Sequence, residues 1–190
     1  MISVCARLLA IVLASVLLGA ASAPAGAAPP DDPRWVFYTK DKRHYDSPWY
    51  AGEHRIMIPF GCTRAPYYSP DPRCRNDRGF HHGLDIAMPC GTRLKSDRRA
   101  WVVSNDSLGS AYGANPILLR NFHQRWDLVI GHTERVFVEP GDRVRPGMRI
   151  ARANDSGAPD GCHLHFERRG LRGGLSSAVA PRKMLELKVD

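Results

Sequence analysis

Beyond residue 28 the chain carries no long amphipathic helical pattern. Its apolar residues come in short runs separated by glycine, proline and polar residues. "AWVVS" (100–104), "PILLR" (116–120) and "RWDLVIGH" (125–132) are β-type runs, and "DIAMPCG" (85–91) begins as a strand and ends in a turn. "EPGDRVRPGMRIA" (139–151) sets two Pro-Gly turn signals around the strand-like "DRVR". A helical turn is expected only near Arg182–Leu187. Many short strands joined by frequent turns predict a mostly β, antiparallel architecture with little helix.

The start of the chain reads as an export signal. Arg7 precedes "LLAIVLASVLL" (8–18), an uncharged run too short to span a bilayer, and small residues follow. "AGAAPP" offers a small-x-small cleavage pattern, which predicts removal of residues 1–28, Cys5 included, and no lasting membrane anchor. "PPDDPR" (29–34) then reads as a linker, and the aromatic-rich stretch after it as a segment lying extended over the core. The expected division is signal 1–28, linker and extended segment 29–49, and one domain over 50–190. The roughly 160 residues left after cleavage suit a single domain with a real core.

Net charge is +8 over the full chain, and Arg7 is the only charged residue in 1–28, so the excess resides in the exported part. A basic secreted protein is drawn to polyanions, including anionic cell-wall polymers. No helix-turn-helix or RNA-binding signature is present, so nucleic acid is not expected as a partner.

Four cysteines remain after the signal: Cys62, Cys74, Cys90 and Cys162. An even count in an exported chain predicts two disulfides. Of the three connectivities, Cys62–Cys74, closing a short loop, with Cys90–Cys162 is favoured. A zinc–thiolate site is the rival reading, but the chain has no C-x-x-C pair.

Two stretches hold metal-ligand residue types at strand spacing. In "FHHGLDIAMPCGT" (80–92), His81, Gly83 and Asp85 share a face if the segment is a strand, and His82 points away. If the segment curls, His81 and His82 exchange roles. In "HLHFE" (163–167), His163, His165 and Glu167 share one face while Leu164 and Phe166 face the core. Imidazole and carboxylate together suit zinc. Either half alone is weak; their joint presence in one small secreted domain is much stronger. Glu167 is either a group that orients a ligand or an ordinary strand-end carboxylate. His132, in "LVIGHTERV", is alone no more than a histidine after a turn.

Taken together, "HHGLDIA", "GH" at 131–132, "GDRVRPGMRIA" and "SG…GCHLHFE" resemble the lysostaphin-type zinc metallopeptidases, which cut peptide bonds in bacterial peptidoglycan. The resemblance covers roughly residues 50–185. It implies a mostly antiparallel β fold of the duplicated-hybrid-motif kind, with a groove over the sheet and one zinc ion on its floor. It makes His81, Asp85 and His165 the zinc ligands, and His132 and His163 the catalytic histidines. Tyr112, in "AYGAN" (111–115), becomes a candidate for stabilising the transition state. "GGLSSAVAP" (173–181) resembles the family's closing segment. Three protein ligands leave zinc a position for water, whose pKa the metal lowers, and a neutral histidine suits the proton transfer.

The implied function is a secreted zinc metalloendopeptidase acting as a monomer on peptidoglycan peptides. The alternatives are a non-catalytic wall-binding or activating relative, and a secreted protease of other proteins. Cys90 in the turn after Asp85, Cys162 before His163, and the segment before residue 80 have no counterpart in the resemblance. His44, His54 and His123 read as surface or hydrogen-bonded residues.

Overall fold

A computed structural model describes residues 30–189. The expected signal segment lies outside the described residues. In chain order the strands are β1 (His44–Asp46), β2 (His54–Ile58), β3 (Gly61–Thr63), β4 (Gly79–His81), β5 (Leu84–Ala87), β6 (Arg93–Lys95) and β7 (Ala100–Val103). They continue with β8 (Ile117–Asn121), β9 (Trp126–Gly131), β10 (Thr133–Glu134), β11 (Arg143–Val144), β12 (Arg149–Ala153), β13 (His163–Gly170) and β14 (Lys188–Val189). Among the described residues, helix is confined to 3-10 turns at Ser110–Tyr112 and Leu175–Ser177 and to one turn, α1 (Arg182–Leu185), where the sequence allows one. None of it is long and apolar enough to cross a membrane.

Nine strands form the main sheet in the order β11-β7-β8-β9-β13-β5-β2-β1-β14, every neighbour antiparallel. A second sheet runs β10-β12-β6, and β3 pairs with β4 in a two-stranded ribbon. The fold is thus mostly antiparallel β, as the short punctuated runs require.

Strand alternation gives the main sheet two unlike faces. Leu119, Leu128, Ile130, Leu164, Phe166 and Ile86 point to one side and are buried with Leu94 and Ile150 of the second sheet. Trp49 packs edge-on against Phe166, ring centroids 4.9 Å apart, and its indole N–H donates to the Met184 carbonyl. Each such fully buried large side chain contributes about 1.5–3 kcal/mol. The other face of β5 and β13 carries the polar residues. It is covered at one end by Trp35, Phe37, Tyr38 and Tyr68, which pack on Met57, Ile58, Ala65 and Ala87. Both expected disulfides are present, Cys62–Cys74 and Cys90–Cys162, with Cα–Cα distances of 5.5 and 5.3 Å.

Candidate active site

His165 and Asp85 stand directly opposite each other in the β13–β5 register, both on the polar face. His81 reaches them by a route that differs from the sequence expectation. Residues 81–85 are not one strand: β4 ends at His81, the chain bends at His82 and Gly83, and β5 begins at Leu84. Gly83 is required at the bend, because a Cβ there would lie 2.5 Å from Cε1 of His165. The bend still brings His81 inward, while His82 turns to the rim and meets Nη2 of Arg73 at 3.0 Å.

The three side chains converge on one point. His81 Nε2 lies 3.3 Å from both His165 Nδ1 and Asp85 Oδ1, and His165 Nδ1 lies 2.9 Å from Asp85 Oδ1. Ligands about 2.0–2.1 Å from a tetrahedral zinc stand about 3.3 Å from one another. The remote nitrogen of each imidazole faces an acceptor: His81 Nδ1 is 3.2 Å from the Pro59 carbonyl, and His165 Nε2 is 3.4 Å from Glu167 Oε2. Each ring can therefore hold a proton on the far side and offer its inward nitrogen to a bound metal. Two ring nitrogens and a carboxylate oxygen aimed at one buried point form a donor set that fits a divalent metal. The field there favours positive charge. Burial pushes the His165 imidazole down, but Asp85 and Glu167 outweigh it and hold the metal-free group at about 9. Burial pushes Asp85 up, yet His81, His163 and His165 hold it well below the usual carboxylate range.

Two further histidines flank this point, their ring centroids 4.3 Å apart. His163 Nδ1 donates to the Gly161 carbonyl at 2.9 Å, and His132 Nδ1 donates to the Ser156 carbonyl at 2.8 Å. Both rings are thereby held with Nε2 on the side away from these carbonyls, and His163 Nε2 lies 3.8 Å from Asp85 Oδ1. Burial, then His163 and His165, push the His132 imidazole down to about 3, so it is neutral at ordinary pH. His132 has φ of +55°, uncommon for a non-glycine residue. Its N–H donates to the Tyr112 carbonyl and its own carbonyl accepts from Asn154 N–H, both at 2.8 Å, and these bonds hold the strained backbone. The cluster forms the floor of a groove of about 750 Å³.

The sequence comparisons identify the chain's relatives. The model of Peptidase family M23 matches residues 79–179. The chain belongs to peptidase family M23. Lysostaphin of Staphylococcus staphylolyticus is 30% identical over 125 residues, 63% of this chain and 24% of that protein. The peptidoglycan DD-endopeptidase ShyA of Vibrio cholerae is 29% identical over 87 residues, 46% of this chain and 20% of that protein. The matches thus span only about a fifth to a quarter of these curated relatives. Among solved structures, LytU aligns with a TM-score of 0.58 at 26% identity, covering 72% of this chain and 86% of that one. The catalytic domain of lysostaphin from Staphylococcus simulans aligns at 0.56 and 26%, covering 70% and 92%.

Other groups complete the site of this M23 chain. Glu167, fully buried, accepts from the Tyr112 hydroxyl at 3.0 Å and from Arg169 Nε at 2.6 Å, and lies behind His165. Burial pushes its carboxyl up, but His165 and Arg169 outweigh burial and hold it at about 2. The Tyr112 hydroxyl spends its proton on Glu167 and accepts from Arg169 Nη2 at 2.6 Å. Tyr68 was not singled out in the sequence. It lies in the loop closed by Cys62–Cys74, outside the family match, and its ring packs 5.1 Å from that of His81. Tyr68 lines the groove, and its hydroxyl makes no hydrogen bond among the described residues. Burial, then Asp85 and Asp160, push its pKa up, so it stays a proton donor. A tyrosine next to a proline-rich turn gives no sequence signal for this.

Proposed function

We propose that the chain is a secreted zinc metalloendopeptidase that hydrolyses peptide bonds of bacterial peptidoglycan cross-links. The observation that carries the reading is the meeting of His81 Nε2, Asp85 Oδ1 and His165 Nδ1 within 3.3 Å beside His132 and His163, on the floor of an open groove. A relative named as a peptidoglycan DD-endopeptidase supports the substrate class. A zinc ion held by His81, Asp85 and His165 would polarise the scissile carbonyl and make water nucleophilic at neutral pH. His163 and His132 are placed to accept the proton of the attacking water through Nε2 and return it to the leaving amine. The free hydroxyl of Tyr68 is placed to donate to the oxyanion, and Tyr112 acts on His165 through Glu167. The excess of Lys and Arg favours residence near anionic wall polymers after export, and the chain works as a monomer.

A non-catalytic wall-binding relative has no use for two histidines held in fixed orientation beside a complete donor set. The test is incubation of the purified chain with intact peptidoglycan, zinc-loaded, with and without chelator, reading released fragments by mass spectrometry. New amino termini on stem or bridge peptides, abolished by chelator, are expected. Zinc-loaded protein that binds the sacculus and releases nothing would establish the binding-module reading instead.

A further inference from the structure

The segment Asp32–Trp35 lies outside the family match, in a stretch whose sequence reads as a linker. In the structure it is bonded to the residue next to a proposed catalytic histidine. Cys162, which precedes His163, uses both its backbone groups on this segment. Its N–H donates to Asp32 Oδ2 at 3.2 Å, and its carbonyl accepts from the Trp35 indole N–H at 2.7 Å. Asp32 also packs on Gly161, where a Cβ would lie 2.7 Å from Oδ2. The Gly161 carbonyl is the group that fixes the His163 ring.

The same segment reaches the other histidine. Arg34 grips Asp32 through Nε at 3.0 Å and Nη2 at 2.7 Å, and the same Nη2 donates to Asp155 Oδ2 at 2.8 Å. Asp155 lies between Asn154, whose N–H binds the His132 carbonyl, and Ser156, whose carbonyl fixes the His132 ring. One arginine–aspartate pair thus clamps both loops that orient the histidines. Arg34 is about half exposed, and exposed ion pairs add little to global stability. The value of this arrangement is geometric.

We propose that Asp32, Arg34 and Trp35 are positioning residues: the strap they form sets the orientation of His163 and His132 over the groove floor, and turnover depends on it. The proposal rests on the reading that these two histidines move the substrate's protons. A small misplacement of a reacting group costs up to about 100-fold in rate.

The test uses the full exported chain carrying Asp32→Ala, Trp35→Phe or Arg34→Gln. Trp35→Phe removes the N–H and leaves a smaller aromatic ring on the cluster of Met57, Ile58, Ala65 and Ala87, so circular dichroism accompanies it; Arg34→Gln is a change at a half-exposed surface position. Each is expected to lower kcat by about 10- to 100-fold with KM and bound zinc near wild type. Asp32→Asn, which keeps an acceptor for Cys162, should recover part of the loss. Independently of activity, ring spectra of ¹⁵N-histidine-labelled chain, metal-free and zinc-loaded, should show His163 and His132 signals displaced in the variants and the signal of His123, exposed between β8 and β9, unmoved. Ring signals coincident with wild type, or folded variants at full kcat, overturn the proposal. A native chain that releases no fragments would sink the functional reading, while the ring spectra would still decide whether the strap orients the histidines.

Discussion

His165 and Asp85 are a cross-strand pair, and their Nδ1 and Oδ1 atoms are 2.9 Å apart on the face of the sheet turned to the groove. The pairing makes two of the three donors a property of sheet register, since a one-residue slip would turn one of them into the core. Asp85→Ala is therefore expected to abolish bound zinc and fragment release together while leaving the sheet paired. Elemental analysis beside circular dichroism checks this; one zinc still bound to a folded variant would remove Asp85 from the ligand set.

If His165 is a metal ligand as proposed, its imidazole should make metal uptake pH-dependent. In the metal-free chain it titrates at about 9, because Asp85 and Glu167 overcome the effect of burial. Below that pH it carries a proton that the metal must displace. Zinc affinity should therefore rise about tenfold per pH unit from about pH 6 to pH 8 and level off above about pH 9. Calorimetry in buffers of different protonation enthalpy should register about one proton released per zinc near pH 7. An affinity flat over that range would contradict the assignment.

How much of this was legible in the sequence depends on how far each signal reaches along the chain. Two histidines at spacing two must share a face of any strand, so the grouping of His163, His165 and Glu167 could be read directly. His81 and Asp85 converge as expected, but across a bend at Gly83 rather than along one strand. The bend was hidden because what requires it is the ring of His165, 84 residues from His81. The short Cys62–Cys74 loop was readable from a separation of 12 residues. Tyr68 and the strap at 32–35 were not. Their partners lie on distant strands, and a polar, proline-rich stretch has no periodicity to announce what it will touch.

Glu167→Gln tests the support behind His165. The carboxylate is fully buried between His165, Tyr112 and Arg169. Glutamine keeps the shape but removes the charge that makes His165 a better donor. Zinc affinity should fall about 10- to 100-fold, as for other groups that orient a ligand from behind. Competition with a chromophoric chelator measures it, and an unchanged affinity would reduce Glu167 to a packing role.

His132→Ala should retain zinc and lose turnover by about 10²- to 10⁴-fold, the usual worth of a positioned acid or base. The imidazole is neutral far below working pH because burial and its neighbours hold it near 3. Its removal takes away a proton acceptor without altering the metal's charge balance. A variant with full activity would leave His163 to carry the proton transfer alone.

Tyr68 and Tyr112 are separated by where their hydroxyl protons go. Tyr112 donates to Glu167, so Tyr112→Phe acts through His165 and should weaken zinc binding along with rate. Tyr68 has no such partner among the described residues, and its ring already packs on His81. Tyr68→Phe keeps that packing and removes only a donor at the groove, so zinc affinity should hold while kcat falls about 10²- to 10³-fold. Measuring both constants for both variants makes the contrast decisive. If Tyr112→Phe lowers kcat alone and Tyr68→Phe leaves it unchanged, the donor to the oxyanion is Tyr112. Its bond to Glu167 must then break in each turnover.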